Sequence, residues 1–204
     1  MTGKGFAWGI IVVATMMVAL LGLWGVSAGG KEHRDQVGIP PETVADYVHD
    51  VIEADRTFYT IHVVDRMQVR GIVVASENWE ERGTLPLPAQ FLMEAARLVG
   101  EKKNGVHYRL MSLWPIKTRN GPATELERIG LEQVQKNPDR PYTGIVTKGA
   151  GRFFQAVYAD RAIAQACIGC HNAHPNSPRR DYKRNDVMGG IVITIPLGRQ
   201  PADS

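Results

Sequence analysis

Apolar side chains in the first half of the chain recur three and four positions apart, as they do on one face of a helix. Pro40-Pro41-Glu42 supplies a helix start, since proline fits the first turn and a carboxylate suits the positive end. This pattern predicts a helix from Pro41 to about Met67. A second helix is predicted over 89–103, where Asn104-Gly105 ends it.

The second half of the chain is dominated by strand signals. Four segments are predicted as strands: 106–114, 142–147, 152–159 and 187–197. The two middle segments flank Lys148-Gly149-Ala150-Gly151, which indicates a hairpin. Helices are predicted over 124–136 and 162–171, and 69–76 fits either a fifth short strand or a turn. Strands with intervening helices predict an α+β domain that is built on an antiparallel sheet flanked by helices.

A run without charge precedes this domain. Residues 6–26 contain no charged side chain, and as a helix they would span about 31 Å, close to the thickness of the bilayer core. Trp8 and Trp24 lie near its ends, where indole rings favour the interface. Val26-Ser27-Ala28 also resembles a signal-peptide cleavage site. The length of the run favours a retained anchor over a cleaved signal, so one transmembrane helix is expected before the folded domain.

Composition and charge exclude several classes of protein. The formal net charge of +3 is too mild for a nucleic-acid binder, and 44% hydrophobic residues indicate a globular chain. With two cysteines the chain is not a disulfide scaffold. No catalytic triad, phosphate-binding loop or paired-carboxylate motif is recognisable, so an enzyme is not expected.

Both cysteines of the chain belong to one motif, Cys167-Ile168-Gly169-Cys170-His171. This spacing lets the two thiols bond the two vinyl groups of one haem, while the adjacent histidine binds the iron. The motif therefore predicts one covalently bound haem c. A redox dithiol would give no reason for the histidine. A zinc site of Cys167, Cys170 and His174 would lack a convincing distant ligand pair.

A second iron ligand is expected on the first helix. At 100° per residue, His62 falls within about 40° of the apolar positions of that helix, so it is predicted to face the core. The cofactor-binding set expected from the sequence is therefore Cys167, Cys170, His171 and His62, and the iron ligands are His171 and His62. The alternative second ligands are methionine and histidine side chains: Met188, Met111 and His174.

Cationic side chains are expected near the haem propionates. The available arginines are Arg109, Arg119, Arg152, Arg179 and Arg180. Haem of this kind is attached on the outer face of the energy-transducing membrane. The N-terminus is accordingly expected inside, with the folded domain in the periplasm of a bacterium and the anchor in its inner membrane.

Several segments, in this order along residues 42–198, resemble the PAS-like c-type haem domain family of exported bacterial proteins. They are Arg56-Thr57-Phe58-Tyr59 with Val63-Val64, Leu85-Pro86-Leu87-Pro88-Ala89-Gln90-Phe91, Tyr108-Arg109-Leu110-Met111-Ser112, Arg119-Asn120 with Glu127, Cys167–His171, and Asp186-Val187-Met188-Gly189-Gly190 running into Ile195-Pro196-Leu197. The resemblance implies a PAS-like antiparallel sheet flanked by helices, with one haem held against it. A cyanobacterial member uses a cysteine opposite the histidine, whereas this chain has no spare cysteine.

The expected organisation is a membrane anchor over 1–30, a tether over 31–41 and a c-type haem domain over 42–204. The expected function is that of a membrane-anchored monohaem cytochrome, which carries single electrons to a redox partner or within a larger respiratory or photosynthetic complex. The alternative is a haem-based redox or gas sensor that signals through a partner chain. Nucleic acid is not an expected partner.

Overall fold

The computed structural model describes residues 38–199. The expected anchor over 6–26 and most of the expected tether lie outside these residues. Among the helices of residues 38–199, none is both long and apolar enough to cross a bilayer.

A long first helix opens the described part of the chain. It consists of α1 (Pro41–Phe58), a π-helical segment (Tyr59–Asp65) and a short α2 (Arg66–Val69). Pro41 lies in the first turn, as expected. The sequence predicted the extent of this helix but not its π segment. Turns of a π-helix are wider than those of an α-helix, so the angle between successive residues after Phe58 is smaller than 100°.

Short elements follow before the main sheet. They are β1 (Ala75–Ser76), α3 (Trp79–Arg82), β2 (Leu85–Pro86) and α4 (Pro88–Glu101). β1 and β2 pair in parallel. The segment that fitted either a strand or a turn therefore ends in a two-residue strand, and α4 occupies the predicted second helix.

The main sheet has four antiparallel strands in the order β3-β6-β5-β4. Its strands are β3 (His107–Met111), β4 (Tyr142–Lys148), β5 (Gly151–Arg161) and β6 (Val187–Arg199). The sheet and its flanking helices confirm the α+β class predicted from the sequence. The hairpin of β4 and β5 turns at Gly149 and Ala150, where it was predicted.

Helices pack on both faces of this sheet. On one face α1 and α4 contribute Ala45, Ile52 and Leu92 to a core with alternate residues of β5 and β6. On the other face lies α5 (Glu125–Lys136), whose Leu131 and Val134 pack against Met111, Val157 and Val192. Thr124 caps α5 in a capping box with Glu127, as its sequence indicates.

Met111, an alternative iron ligand in the sequence analysis, is buried at the end of β3. Only 1% of this side chain is exposed, because α5 covers the second face of the sheet at that point. The last helix, α6 (Gln165–Ala173), follows β5 after a short connection. It leads into loop 174–186, which returns to the start of β6.

Candidate functional site: a cavity beside the Cys-x-x-Cys-His helix

The Cys-x-x-Cys-His motif lies on α6. The first turn of this helix packs against the end of the main sheet. Cys167 is buried in a small cluster with Ala162, Ala164, Tyr182 and Met188. The backbone N–H of Ala162 donates to the carbonyl of Asp186, and that of Asn185 donates to the carbonyl of Ala162. The end of β5 and the start of β6 therefore hold the connection to α6 in place.

Loop 174–186 is bound to the far end of α6. The Asn172 side-chain amide donates to the carbonyl of Tyr182 at 3.0 Å, and its oxygen accepts from the Tyr182 N–H at 3.0 Å. The Tyr182 ring meets the His171 ring edge-on, at 5.7 Å between centroids. The Arg179 guanidinium lies over two aromatic rings. Its Cζ atom is 4.4 Å from the centroid of the Tyr182 ring and 5.1 Å from that of the Trp114 ring. These contacts set the orientation of the histidine that follows the second cysteine.

A cavity of about 620 Å³ opens directly beside this motif. Both cysteines and His171 line it. Five other parts of the chain complete the wall: the long first helix between Arg56 and Val69, the segment 75–79, the start of α4, the end of β3 with the segment after it, and the adjoining ends of β5 and β6. Its volume lies in the usual range of cofactor sites, about 300–1,000 Å³.

The cavity wall combines apolar surface with a few polar groups. Its apolar residues include Val64, Pro88, Leu110, Trp114 and Ile116. Within residues 38–199, the buried Nδ1 of His171 has no hydrogen-bond partner. His171 lines the cavity, and an imidazole in that position is chemically suited to bind a group placed there.

A buried ion pair forms part of the wall. Arg56 donates to Asp160 with nitrogen–oxygen distances of 2.7 and 3.2 Å, and both side chains are less than one-tenth exposed. Burial raises the pKa of the Asp160 carboxyl, and the Arg56 guanidinium limits that rise. The positive charge of Arg56 also acts on Cys167 and on His171, so the pair lies within electrostatic range of the motif.

Burial also governs the ionisation of the motif itself. It raises the pKa of both thiols, although Arg56 opposes this at Cys167. It lowers the pKa of His171, with further lowering by Arg56 and His174. The histidine is therefore neutral near pH 7, which is the form that binds metal ions. Thiols with raised pKa values are protonated at that pH and are poor candidates for a redox dithiol.

The alternative zinc site has no geometric support in the described range. Within residues 38–199, no group of three or more His, Cys, Asp or Glu side chains converges as metal ligands do. His174 instead faces Glu77 at 3.7 Å. The three ligands considered from the sequence, Cys167, Cys170 and His174, are thus not gathered around one point.

The prediction that His62 faces the core is wrong. Its side chain is exposed, it rests against Phe58 at 5.0 Å between ring centroids, and it does not line the cavity. The physical reason is the choice of face: Val51 and Phe58, two of the apolar positions used as the reference, are each 63% exposed, whereas Ala45 and Ile52 lie on the side of the helix that enters the core. Val64, Asp65 and Gln68 line the cavity from this helix instead. The structure therefore brings together Cys167, Cys170 and His171, but not His62.

Of the five arginines considered for propionates, Arg119 alone lines the cavity. Arg109 is paired with Glu127, and Arg179 with Asp181 and Asp186. Three lining residues with charged or metal-binding side chains were not among the residues expected from the sequence: Arg56, Lys117 and Met93. The apolar periodicity around Arg56 was a usable signal, since a charged residue on the buried face of a helix needs a partner.

Comparison with known proteins places the chain in a family. A family model named Tll0287-like matches residues 35–196. The chain belongs to the Tll0287-like family. This confirms the resemblance expected from the sequence, and the match spans the whole cavity wall described above. No curated protein matches the chain.

One solved structure is similar to this member of the Tll0287-like family. It is the crystal structure of the cyanobacterial heme-protein Tll0287, which shares 16% sequence identity with this chain. The similarity covers 80% of this chain and 100% of that one, with a TM-score of 0.47.

Proposed function

We propose that this chain is a membrane-anchored monohaem c-type cytochrome that carries single electrons at the periplasmic face of a bacterial inner membrane. The observation that carries the proposal is the position of the attachment motif. Cys167, Cys170 and His171 all line one cavity of suitable size, and the chain contains no other cysteine. Membership of a family whose named member is a heme-protein supports the same cofactor.

The residues of the wall fit a haem by their chemistry. Cys167 and Cys170 would form the thioethers, and His171 would bind the iron through its neutral ring. Lys117 and Arg119 lie on the wall and also line a neighbouring surface groove, so they are suited to hold the carboxylates of the haem. When bound, the iron would supply a site that gains and loses one electron.

Three methionines line the cavity and offer a thioether as second ligand: Met93, Met111 and Met188. Met111 and Met188 are 1% and 4% exposed and are packed into hydrophobic clusters. Met93, on α4, is half-buried and belongs to none of these clusters. Met93 is therefore the second ligand in this proposal, in place of His62. A histidine–methionine pair raises the reduction potential of a cytochrome.

The protein around the iron would tune that potential. Apolar side chains restrict water, and the Arg56–Asp160 pair keeps a balanced charge within range of His171. An iron with two protein ligands has no vacant position, which suits electron transfer rather than catalysis. The proposal of a membrane anchor is based on residues 6–26, which contain no charged side chain. Such an anchor would keep the haem domain near the membrane surface.

The alternative function is a haem sensor, which the Tyr182 contact favours. A movement of His171 would press on Tyr182 and hence on loop 174–186, a surface that a partner chain could detect. The two functions differ in their response to ligand gases. An electron carrier should keep its second ligand in both oxidation states, whereas a gas sensor should bind carbon monoxide readily.

The test is an optical redox titration of the full-length protein in detergent, followed by exposure of the reduced form to carbon monoxide. The proposal expects one reversible one-electron transition, low-spin spectra in both states, and slow or absent carbon monoxide binding. Rapid binding would favour the sensor. Absence of a haem spectrum from protein that was matured in a haem-attaching host would rule out both functions.

A further inference from the structure

The outer face of α1 carries an apolar stripe that does not pack against the domain. Tyr47, Val51 and Phe58 are 62%, 63% and 63% exposed, and Ala54 between them is exposed as well. Their spacing of four, three and four residues places them in one row along the helix. The buried face of α1 lies on the other side, where Ala45 and Ile52 enter the core.

Carboxylates flank this stripe, with Asp50 on one side of it and Asp55 on the other. α1 carries five of them, all on exposed residues: Glu42, Asp46, Asp50, Glu53 and Asp55. Between residues 41 and 65 the sequence has a single Lys or Arg, Arg56, and that side chain is buried against Asp160. The exposed face of α1 is thus acidic, although the whole chain has a net charge of +3.

An apolar centre with a polar, single-sign rim is the usual form of a protein docking surface. From these observations we infer that the stripe of Tyr47, Val51, Ala54 and Phe58 docks a partner protein whose own apolar patch is bordered by lysines and arginines. Opposite charges at the rim would accelerate the encounter and select against acidic partners. An anionic lipid surface would be repelled by the same carboxylates.

A second copy of this chain fits the face poorly. The spacing resembles a coiled-coil seam, in which the two flanks of one helix face the opposite flanks of its partner. Asp50 lies on one flank and Asp55 on the other, so a parallel pair of identical helices would bring like charges together. Like charges at such positions are destabilising, which favours a basic partner.

A binding experiment tests the chemistry of the surface. The probe is a fluorescent amphipathic helix built from leucine and lysine, and a leucine–glutamate helix serves as its counterpart. The full-length protein should bind the basic probe alone, and more weakly as salt increases. Asp50→Asn/Glu53→Gln/Asp55→Asn should weaken binding at low salt by about tenfold. Val51→Ser/Phe58→Ser should weaken it at every salt concentration.

The matched control is Ile145→Ser on β4, since Ile145 is 54% exposed and belongs to the edge strand of the sheet rather than to α1. This variant should bind the basic probe as the wild type does. Because all the substituted side chains are exposed, the variants should keep the wild-type circular dichroism spectrum. Equal binding of both probes, or an equal loss in the Ile145 variant, would overturn the inference.

Photo-cross-linking in the bacterium identifies the occupant. A photoreactive residue at position 54 should join the chain to another protein, within a segment of net positive charge, and one at position 145 should not. The charge-neutral triple variant should lose this adduct. An adduct with a second copy, with lipid, with another part of the same chain or with an acidic segment would contradict the inference. None of these outcomes depends on whether haem is bound.

Discussion

Met93 is the residue on which the proposed iron environment depends most. Met93→Leu removes the thioether and keeps the volume, so it should leave the haem attached but open one iron position. The expected result is a shift toward high-spin iron, fast carbon monoxide binding and loss of the weak far-red band that accompanies a methionine–ferric iron bond.

The controls for this substitution are His62→Ala and Met188→Leu. Each should keep the wild-type spectrum, because His62 is exposed and Met188 is packed beside Cys167. If His62→Ala changed the spin state and Met93→Leu did not, the first helix would supply the ligand after all.

Arg56 and Asp160 form an ion pair in which both side chains are less than one-tenth exposed. Arg56→Met leaves Asp160 without its counter-ion in a site that is almost completely buried, and should lower the free energy of unfolding by about 3–5 kcal/mol. Urea denaturation at pH 7 measures this loss. Arg56→Met/Asp160→Asn should recover a large part of it, since no uncompensated charge remains. Additive losses in the double variant would show that the two side chains act independently.

His49 should make the folded state sensitive to acid. Its ring stacks on Tyr158 at 3.9 Å, and burial lowers its pKa below the ordinary 6.5, although Glu53, Asp50, Asp46 and Asp160 oppose the shift. The unfolded chain therefore binds a proton at a higher pH than the folded chain does. Its contribution to stability is present above about pH 6.5 and is lost as the pH falls through the folded-state pKa.

The measurement is the free energy of unfolding as a function of pH, from urea denaturation of wild type and of His49→Phe. The variant should lose stability less steeply on acidification, because the group that takes up the proton has gone. An unchanged slope in the His49 variant would assign the acid sensitivity to other groups.

At the scale of elements, the pairing of β3 with β6 depends on the absence of a side chain at Gly189. A Cβ at this position would collide with the backbone oxygen of Met111, which cannot move without breaking the strand pair. Gly189→Ala should therefore lower the free energy of unfolding by about 1–3 kcal/mol. It should also disturb the cavity, because Gly189 and Met188 both line it.

Gly100→Ala on α4 is the matched control. Its added methyl group would meet His107 at 3.5 Å, an ordinary contact, and alanine favours a helix over glycine by up to about 1 kcal/mol. This variant should be as stable as the wild type or more stable. If both variants lost equal stability, the collision at Gly189 would not be the cause.

Most elements were predictable because local signals determine them. The proline start of α1, the capping box of α5 and the two-residue turn of the β4–β5 hairpin are written in adjacent residues, and each occurs where it was expected. The π segment has no such signal. An apolar row also does not reveal by itself whether the rest of the chain covers it: Val51 and Phe58 are exposed, and His62 beside Phe58 is exposed with them.

For the molecule as a whole, the attachment motif of the candidate site was predictable, whereas most of the cavity wall was not. Cys167, Cys170 and His171 are neighbours in sequence, so their chemistry could be read from one motif. The remaining wall comes from segments around Arg56, Met93 and Lys117, which tertiary structure alone brings to α6. Long-range packing of this kind leaves no short pattern in the chain.

The central claim is that the motif on α6 holds a haem covalently. The most direct test is the intact mass of the full-length protein, measured under denaturing conditions after expression with a haem-attachment system. The account predicts the mass of the polypeptide plus one haem, unchanged by acid–acetone extraction, and loss of that added mass in Cys167→Ser/Cys170→Ser. A polypeptide that carries no haem, or that releases it to acid acetone, would contradict the account.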